Sequence, residues 1–319
     1  RPQNLRALSN TSNQVRLDWL SGGAAQWQVS YGTPGFNPGS GTILTATNKP
    51  YSLNGLSSNT RYEVYVRDSC GPGDLSLWEG PISVRTACTA LRAPYSEDFD
   101  GNNFSATSNF FGGLGTIGPC WRRNDTTGYI WDAGPPSFNF TNTGPTDDHT
   151  PNNSAGGYLV TIQRSFTSDD TARIFSPQVE LSALSVPRLR FYAHIYGNAF
   201  NYFEVAVDSG QGYHPLLSIN TTLQTSGSGP WREFTTSLAN YANDTIQLRF
   251  TGVRANTGRM RMAIDDLYLE ETPSCPKPDS LRLLSTGTNA ASFNWTSGGA
   301  SNWQLSYGTN LSAPGNGTL

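Results

Sequence analysis

The sequence predicts an all-β protein built from sandwiches, and three observations predict it. Apolar and polar residues alternate at period two in one segment after another. No stretch of about 12 residues carries a convincing helical period. Turn signals rich in Gly, Pro and Ser separate the alternating segments, as in Ser21-Gly22-Gly23, Gly71-Pro72-Gly73 and Ser226-Gly227-Ser228-Gly229. The clearest strands are Val15-Arg16-Leu17-Asp18-Trp19, Trp27-Gln28-Val29-Ser30-Tyr31 and Tyr62-Glu63-Val64-Tyr65-Val66, then Tyr202–Val207 and Ile246–Phe250. Every second side chain of a strand shares a face, so each of these segments offers one apolar face for burial.

Composition narrows the class. The chain has 319 residues, a net charge of -3 and a pI near 5.6, which excludes the clustered basic face of a nucleic-acid partner. Lysine is confined to Lys49 and Lys277, against nineteen arginines, and charged residues make up only 14%. A surface made polar by hydroxyls and amides, with 12% aromatics, points to an extracellular β-rich protein. No apolar run approaches the roughly 20 residues of a membrane span. The abrupt opening at Arg1-Pro2 reads as a processed or partial chain, whose secretion requires an upstream signal.

Three domains are expected, at residues 1–87, 88–272 and 273–319. In the first, Trp19 is placed as a core tryptophan. Leu53-Asn54-Gly55-Leu56 leads through a turn to Tyr62 at the start of an alternating strand, the tyrosine-corner arrangement. This segment resembles a fibronectin type III domain. It contains no Arg-Gly-Asp, so integrin-type binding is not implied.

The second expected domain opens with Tyr95-Ser96-Glu97-Asp98-Phe99-Asp100 and reaches Gly118-Pro119-Cys120-Trp121. Gly144-Pro145-Thr146-Asp147-Asp148-His149-Thr150, Gly157-Tyr158, the strand Leu189–Gly197 and Pro230-Trp231-Arg232 follow. It closes with Ala263-Ile264-Asp265-Asp266-Leu267-Tyr268-Leu269. In that order these motifs resemble a MAM domain, which implies a jelly-roll sandwich of secreted and cell-surface proteins. They are also similar to jelly-roll adhesin modules appended to secreted bacterial proteases. Alternation with fibronectin-like domains resembles the surface proteins of Bacteroidetes-type bacteria.

The third expected domain begins the first again. Asn4–Thr33 and Ser280–Thr309 align without a gap at an offset of 276, with 16 identities in 30 positions. Residues 273–319 therefore read as the leading part of a second fibronectin-like sandwich, with the apolar face around Trp295 and Trp303 left for another segment or a neighbouring molecule to cover.

Four cysteines, at 70, 88, 120 and 275, allow three pairings. The MAM resemblance implies Cys88–Cys120. By the repeat, Cys70 is expected to pair with a cysteine upstream of Arg1 and Cys275 with one beyond Leu319, with Cys70–Cys88 as the alternative. Zinc is not expected, since there is no Cys-x-x-Cys and only His149, His194 and His214 exist.

The same scarcity argues against catalysis. A Ser/His/Asp set needs a positioned histidine, and His149 and His194 read as structural residues while His214 lies in a Gly-Tyr-His-Pro turn. Gly-x-Ser-x-Gly, His-Glu-x-x-His and phosphate-binding loops are missing from the sequence. Glu97/Asp98 and Asp265/Asp266 could supply glycosidase carboxylates, but they make better sense as oxygen ligands for a hard cation. In a jelly roll the first and last strands lie side by side, so Glu97 and Asp265 are expected to meet. Asp148 completes the cluster, helped by Asp147 and Asp100, and the expected ion is a structural calcium. Thr126, Thr171, Thr245 and Ser280 stand in Asp-Ser/Thr-apolar triplets that resemble the O-glycosylation acceptor of Bacteroidetes secretory proteins. Trp121, Tyr129, Trp131, Tyr196 and Tyr202 are candidates for a sugar-stacking face.

Two function classes follow. One is a non-catalytic structural or adhesive repeat unit of an extracellular adhesin or filament, whose partners are neighbouring copies or repeats and cell-surface or matrix glycans and proteins. The other is an accessory glycan- or protein-binding region of a large secreted hydrolase. The repeat favours the first, because arrays reach far from a cell with each unit contacting only its neighbours.

Overall fold

The computed structural model describes residues 1–101, 103–106, 114–124, 128–134, 142–150, 152, 156–164, 170–255, 258–275 and 278–307, save the Asp279 side chain. The protein is all-β, and among the described residues the one helical element is the single 3-10 turn Ala239–Tyr241. Two compact units are present, Arg1–Glu270 and Glu271–Leu319.

The first unit begins with a sandwich. One sheet holds β1 (Gln3–Asn10), β2 (Gln14–Leu20) and β5 (Tyr51–Asn54); the other holds β3 (Gln26–Gly32), β4 (Thr42–Ala46), β6 (Arg61–Gly71), β7 (Asp74–Leu75) and β8 (Glu79–Arg85). The alternating segments close on each other as the period demands. Leu5, Val15, Leu17 and Trp19 from one sheet meet Trp27, Val29, Val64 and Val66 from the other, with Leu53 between. Trp19 and Trp27 pack edge to face, 5.5 Å between ring centroids. The Tyr62 hydroxyl accepts the Ser57 N–H at 3.0 Å, which fixes the corner leading into β6. The Lys49 ammonium donates to the Trp19 carbonyl at 2.9 Å, so one of the two lysines is committed to the fold.

Further along the same unit, two six-stranded sheets form a second sandwich. The first contains β12 (Tyr129–Gly134), β13 (Tyr158–Gln163), β20 (Met260–Glu271), β15 (Pro187–Gly197) and β18 (Arg232–Ser237) in that order, with β10 (Tyr95–Glu97) on β20. The second runs β11 (Arg122–Arg123), β14 (Thr171–Glu180), β19 (Thr245–Arg254), β16 (Phe200–Asp208), β17 (His214–Ile219), with β9 (Leu91–Arg92) parallel to β14. Phe191, Phe203, Phe250, Trp131 and Leu189 fill the space between them. The outer face of the first sheet is apolar as well. Ile130, Tyr158, Val160, Ile162 and Ala263 form a small second layer, and Trp231 closes it from the loop ahead of β18. That layer makes β20 buried on both sides, and it brings the 227–231 loop and the β12–β13 connection onto one surface.

Cys88, where the chain leaves the first sandwich, is bonded to Cys120 across a separation of 32 residues, while Cys70 and Cys275 are free and exposed. The alternative Cys70–Cys88 pairing is therefore not the one formed.

The second unit contains the hairpin β21 (Asp279–Thr286) and β22 (Ala291–Thr296).

Candidate functional site

The β12–β13 connection is pinned over β20 by its own backbone. The Thr146 N–H donates to the Gly227 carbonyl at 3.0 Å, and the Trp231 indole N–H donates to the Asp147 carbonyl at 3.2 Å. The His149 N–H donates to Asp265 Oδ2 at 2.8 Å, and His149 Nδ1 lies 2.5 Å from Asp266 Oδ2. The His149 ring stacks on Tyr192 at 3.6 Å, and the Tyr192 hydroxyl donates to Glu233 at 2.9 Å. One histidine thus joins the loop to two consecutive aspartates of β20.

Beneath this loop the structure gathers carboxylates. Asp148, Asp265 and Asp266 are all buried. Asp266 adopts φ 44°, a left-handed conformation in mid-strand, and its N–H donates to Asp265 Oδ1 at 2.7 Å. Asp100 stands at the rim, accepting the Gly157 N–H at 2.5 Å, and its charge feels Asp148 and Asp266. Burial pushes the Asp265 carboxyl up to about 9, and the neighbouring Asp266 and Asp148 add to the rise. Asp100 is raised as well, by burial first and then by the charges of Asp98, Asp148 and Asp266. A β carbon on Gly156 would fall inside the Asp148 carboxylate, and one on Gly157 would meet the Phe99 carbonyl, so the chain approaches these oxygens at the one place where it has no side chains.

The sequence-predicted ligands are only partly brought together. Asp100, Asp148 and Asp265 share the cluster, with Asp266 as the added fourth member. Asp147 sits on the loop above, hydrogen-bonded to the Thr146 hydroxyl. Glu97 pairs with Leu267 across β10–β20, and its carboxylate accepts the Tyr95 hydroxyl at 3.1 Å. Oxygen-only donors of this kind fit a hard cation in chemistry. Among the described residues, no three His, Cys, Asp or Glu side chains are gathered closely enough to enclose an ion.

Above the acids lies a groove of about 540 Å³, lined by Thr146, Asp147, His149, Ser228 and Trp231 among others. Trp231 is half-buried, with Tyr158 and His194 edge-on behind it at 5.7 and 5.6 Å. Three of the aromatic residues proposed for sugar stacking fail for a plain reason. Trp121, Tyr129 and Trp131 are buried, Tyr129 and Trp131 on a strand covered on both faces. Tyr196 and Tyr202 are half-buried. Trp231 was visible in the sequence only as part of Pro230-Trp231-Arg232. The Gly and Ser residues before it, a loop signal, are what mark it as the aromatic with an open side.

Of the proposed glycosylation sites, Thr126 lies outside the described residues. Thr171 and Thr245 open β14 and β19, and Ser280 lies in β21.

Comparison with known proteins matches residues 108–276 to the MAM domain, meprin/A5/mu. That is more than half of the chain. The chain belongs to the MAM domain family. Solved structures also resemble it at low identity. The K1 cleaved adhesin domain of Lys-gingipain from Porphyromonas gingivalis W83 is 15% identical, with 56% of this chain and 98% of that one covered, at a TM-score of 0.35. A structure of carbohydrate-binding modules from the β-sandwich superfamily is 10% identical over 84% and 97%, at 0.34. The FN5 domain of Drosophila Lar is 16% identical over 28% and 96%, at 0.24. At TM-scores below 0.5 these likenesses say nothing of what the MAM protein binds. Its groove and its four aspartates all fall inside or beside the matched span, with Asp100 just ahead of it.

Proposed function

We propose that this protein is a non-catalytic binding unit of an extracellular adhesin or filament, and that the groove over Trp231 is where it takes a glycan. The carrying observation is the conjunction of a half-exposed indole with polar groups from two loops, Asp147, His149 and Ser228, on a rigid sheet. An aromatic face stacks on the apolar face of a sugar ring while neighbouring polar groups orient its hydroxyls. Membership of the MAM family supports the extracellular, adhesive reading, and the sequence repeat supports neighbouring copies or repeats as partners. Among the described residues no helix is long and apolar enough to cross a membrane.

Calcium is part of the same proposal. Of the expected ligands Asp100, Asp148 and Asp265 lie nearest one another, beside Asp266, and to enclose the ion they would have to draw closer than they stand among the described residues. A bound cation offsets the repulsion of buried like charges and so stabilises the site rather than creating a reactive one. The Trp231→Ala variant, screened on a glycan array beside the wild type, is expected to lose at least tenfold in affinity for every glycan captured; equal capture by both overturns the groove. For the cation, melting in calcium and in chelator is compared. A melting temperature that is higher with calcium is expected, and an unchanged one overturns the metal.

A further inference from the structure

A second cleft, of about 810 Å³, opens where the two sandwiches of the first unit meet. It shares no residue with the groove over Trp231. One wall comes from the first sandwich, through Asn59 ahead of β6 and Arg85 at the end of β8. The other comes from the second sandwich, through Asn103, Thr116, Arg122 of β11 and Gln178 of β14. The Cys88–Cys120 bond lies in the lining and ties the two walls covalently. Among the described residues, no Asp or Glu contributes to the lining.

The charge of this cleft runs against that of the chain, whose net charge is -3. Several arginines elsewhere in the first unit have an acidic partner. Arg6 pairs with Asp18, Arg92 with Glu180, Arg188 and Arg190 with Glu270, Arg249 with Glu204 and Arg254 with Asp170. Arg85 and Arg122 are exposed, and among the described residues neither pairs with a carboxylate. Arg61 stands directly opposite Arg85 across β6–β8, exposed and equally without an acid among the described residues. Like charges directly opposite each other on a sheet are destabilising, so the fold keeps an arrangement here that an anion relieves.

Both cleft arginines are held in place by contacts that leave donors over. Arg85 Nε donates to Asn59 Oδ1 at 2.9 Å, so the two terminal nitrogens of the guanidinium and the Asn59 amide nitrogen are left as donors. The Arg122 guanidinium lies over the Phe175 ring, 4.1 Å from its central carbon to the ring centroid, a contact that uses its face and not its N–H edge. A guanidinium edge presents paired N–H groups at the spacing of carboxylate oxygens. Asn103 and Gln178 are exposed amides, each with a donor and an acceptor side by side, as a peptide group has. β11, which carries Arg122, is the edge of its sheet, the kind of place where an extended chain adds by main-chain hydrogen bonds.

We propose that this cleft is a second binding site, and that it takes an acidic peptide segment of a partner protein. Arg85 and Arg122 receive the partner's carboxylates, one from each sandwich, while Asn59, Asn103 and Gln178 pair with its peptide groups. A sugar is the poorer fit. The cleft's one aromatic among the described residues, Trp121, is 6% exposed, so it offers no open ring face for a sugar to stack on, in contrast to Trp231. Because the disulfide fixes one wall to the other, less ordering of the site is left to be paid on binding. The site stands apart from the glycan groove and does not depend on it.

Calorimetry of the full chain tests this with a hexaglutamate peptide, a hexaglutamine peptide of the same backbone, and an oligogalacturonate as a carboxylate-bearing sugar. Hexaglutamate is expected to bind one to one, more weakly as salt is raised from about 50 to about 500 mM. Hexaglutamine and the oligogalacturonate are each expected to bind at least tenfold more weakly. Arg85→Gln and Arg122→Gln are each expected to cost hexaglutamate at least tenfold, whereas Arg282→Gln, an exposed arginine of the second unit, leaves its binding at the wild-type level. Melting curves of the variants, expected to match the wild type, separate loss of the site from loss of the fold. The proposal is overturned by no binding of hexaglutamate at about 1 mM, by an equal loss in Arg282→Gln, or by wild-type binding in both Arg85→Gln and Arg122→Gln. An oligogalacturonate that binds as tightly as the peptide overturns it too, since the cleft then selects charge and not a peptide.

Discussion

Burial acts on the ionisable side chains of the MAM domain in two directions. It raises Asp265 to about 9 and lowers His194 from its ordinary value to about 4, the backbone of Gly227 and Ser226 opposing the second shift. Burial favours the neutral form in both cases, the protonated acid for one and the unprotonated imidazole for the other. For His194 the unfolded chain binds a proton below about 6.5 while the folded one waits until about 4. Stability therefore falls as pH drops from about 6.5 to about 4 and levels off below that, by about 3 kcal/mol at most. Asp265, held neutral in the fold, acts in the opposite sense over the same range in both proteins, so the check is the difference: denaturant midpoints of the wild type should drop with acid relative to those of His194→Phe, and parallel profiles would disprove the assignment. At this scale the sequence was legible in chemistry but not in exposure. Asp148 and Asp265 announced themselves as acids inside motifs, whereas only the Gly and Ser residues ahead of Trp231 separate this half-exposed indole from the buried Trp131. That difference arises from which loop crosses which sheet.

Strands were the most legible elements, because period two survives in single sequences wherever one face is wet. Val15–Trp19 and Tyr62–Val66 sit where the alternation puts them. Strands buried on both faces are different. Tyr129–Gly134 carries no alternation to read, since core and outer apolar layer claim both sides. Register was less accessible still. Glu97 and Asp265 do belong to neighbouring strands, yet Glu97 faces Leu267, and the left-handed conformation of Asp266 is a tertiary product. Gly156 shows how such a product constrains sequence. Gly156→Ala puts a methyl inside the buried Asp148 carboxylate, so one of the two must shift. A loss of about 1–3 kcal/mol is expected, together with loss of any calcium-dependent gain. Chemical denaturation with and without calcium measures both, and a wild-type midpoint would refute the tight fit.

Across the molecule, the Cys88–Cys120 bond ties the exit of the first sandwich to the second. It closes a loop of moderate length, which stabilises mainly by restricting the unfolded chain, by about 3–4 kcal/mol. Cys88→Ser with Cys120→Ser should lower stability by that amount in a denaturation series, and unchanged stability would show that the bond constrains nothing. The order of motifs from Tyr95 to Leu269 made the jelly roll readable over a long stretch, since an ordered set of short motifs is far more specific than any one. The repeat at 276 was equally plain in the letters. Its geometry has a consequence for how the chain acquires structure. β21–β22 repeats the register, the Ser-Gly turn and the tryptophan pair of the first copy, so the same letters give the same local geometry twice. The near-neighbour contacts of the first sandwich are written in adjacent letters, and its long-range pairings, β3 with β6 and β2 with β5, are the ones that close the larger loops and set the folding rate.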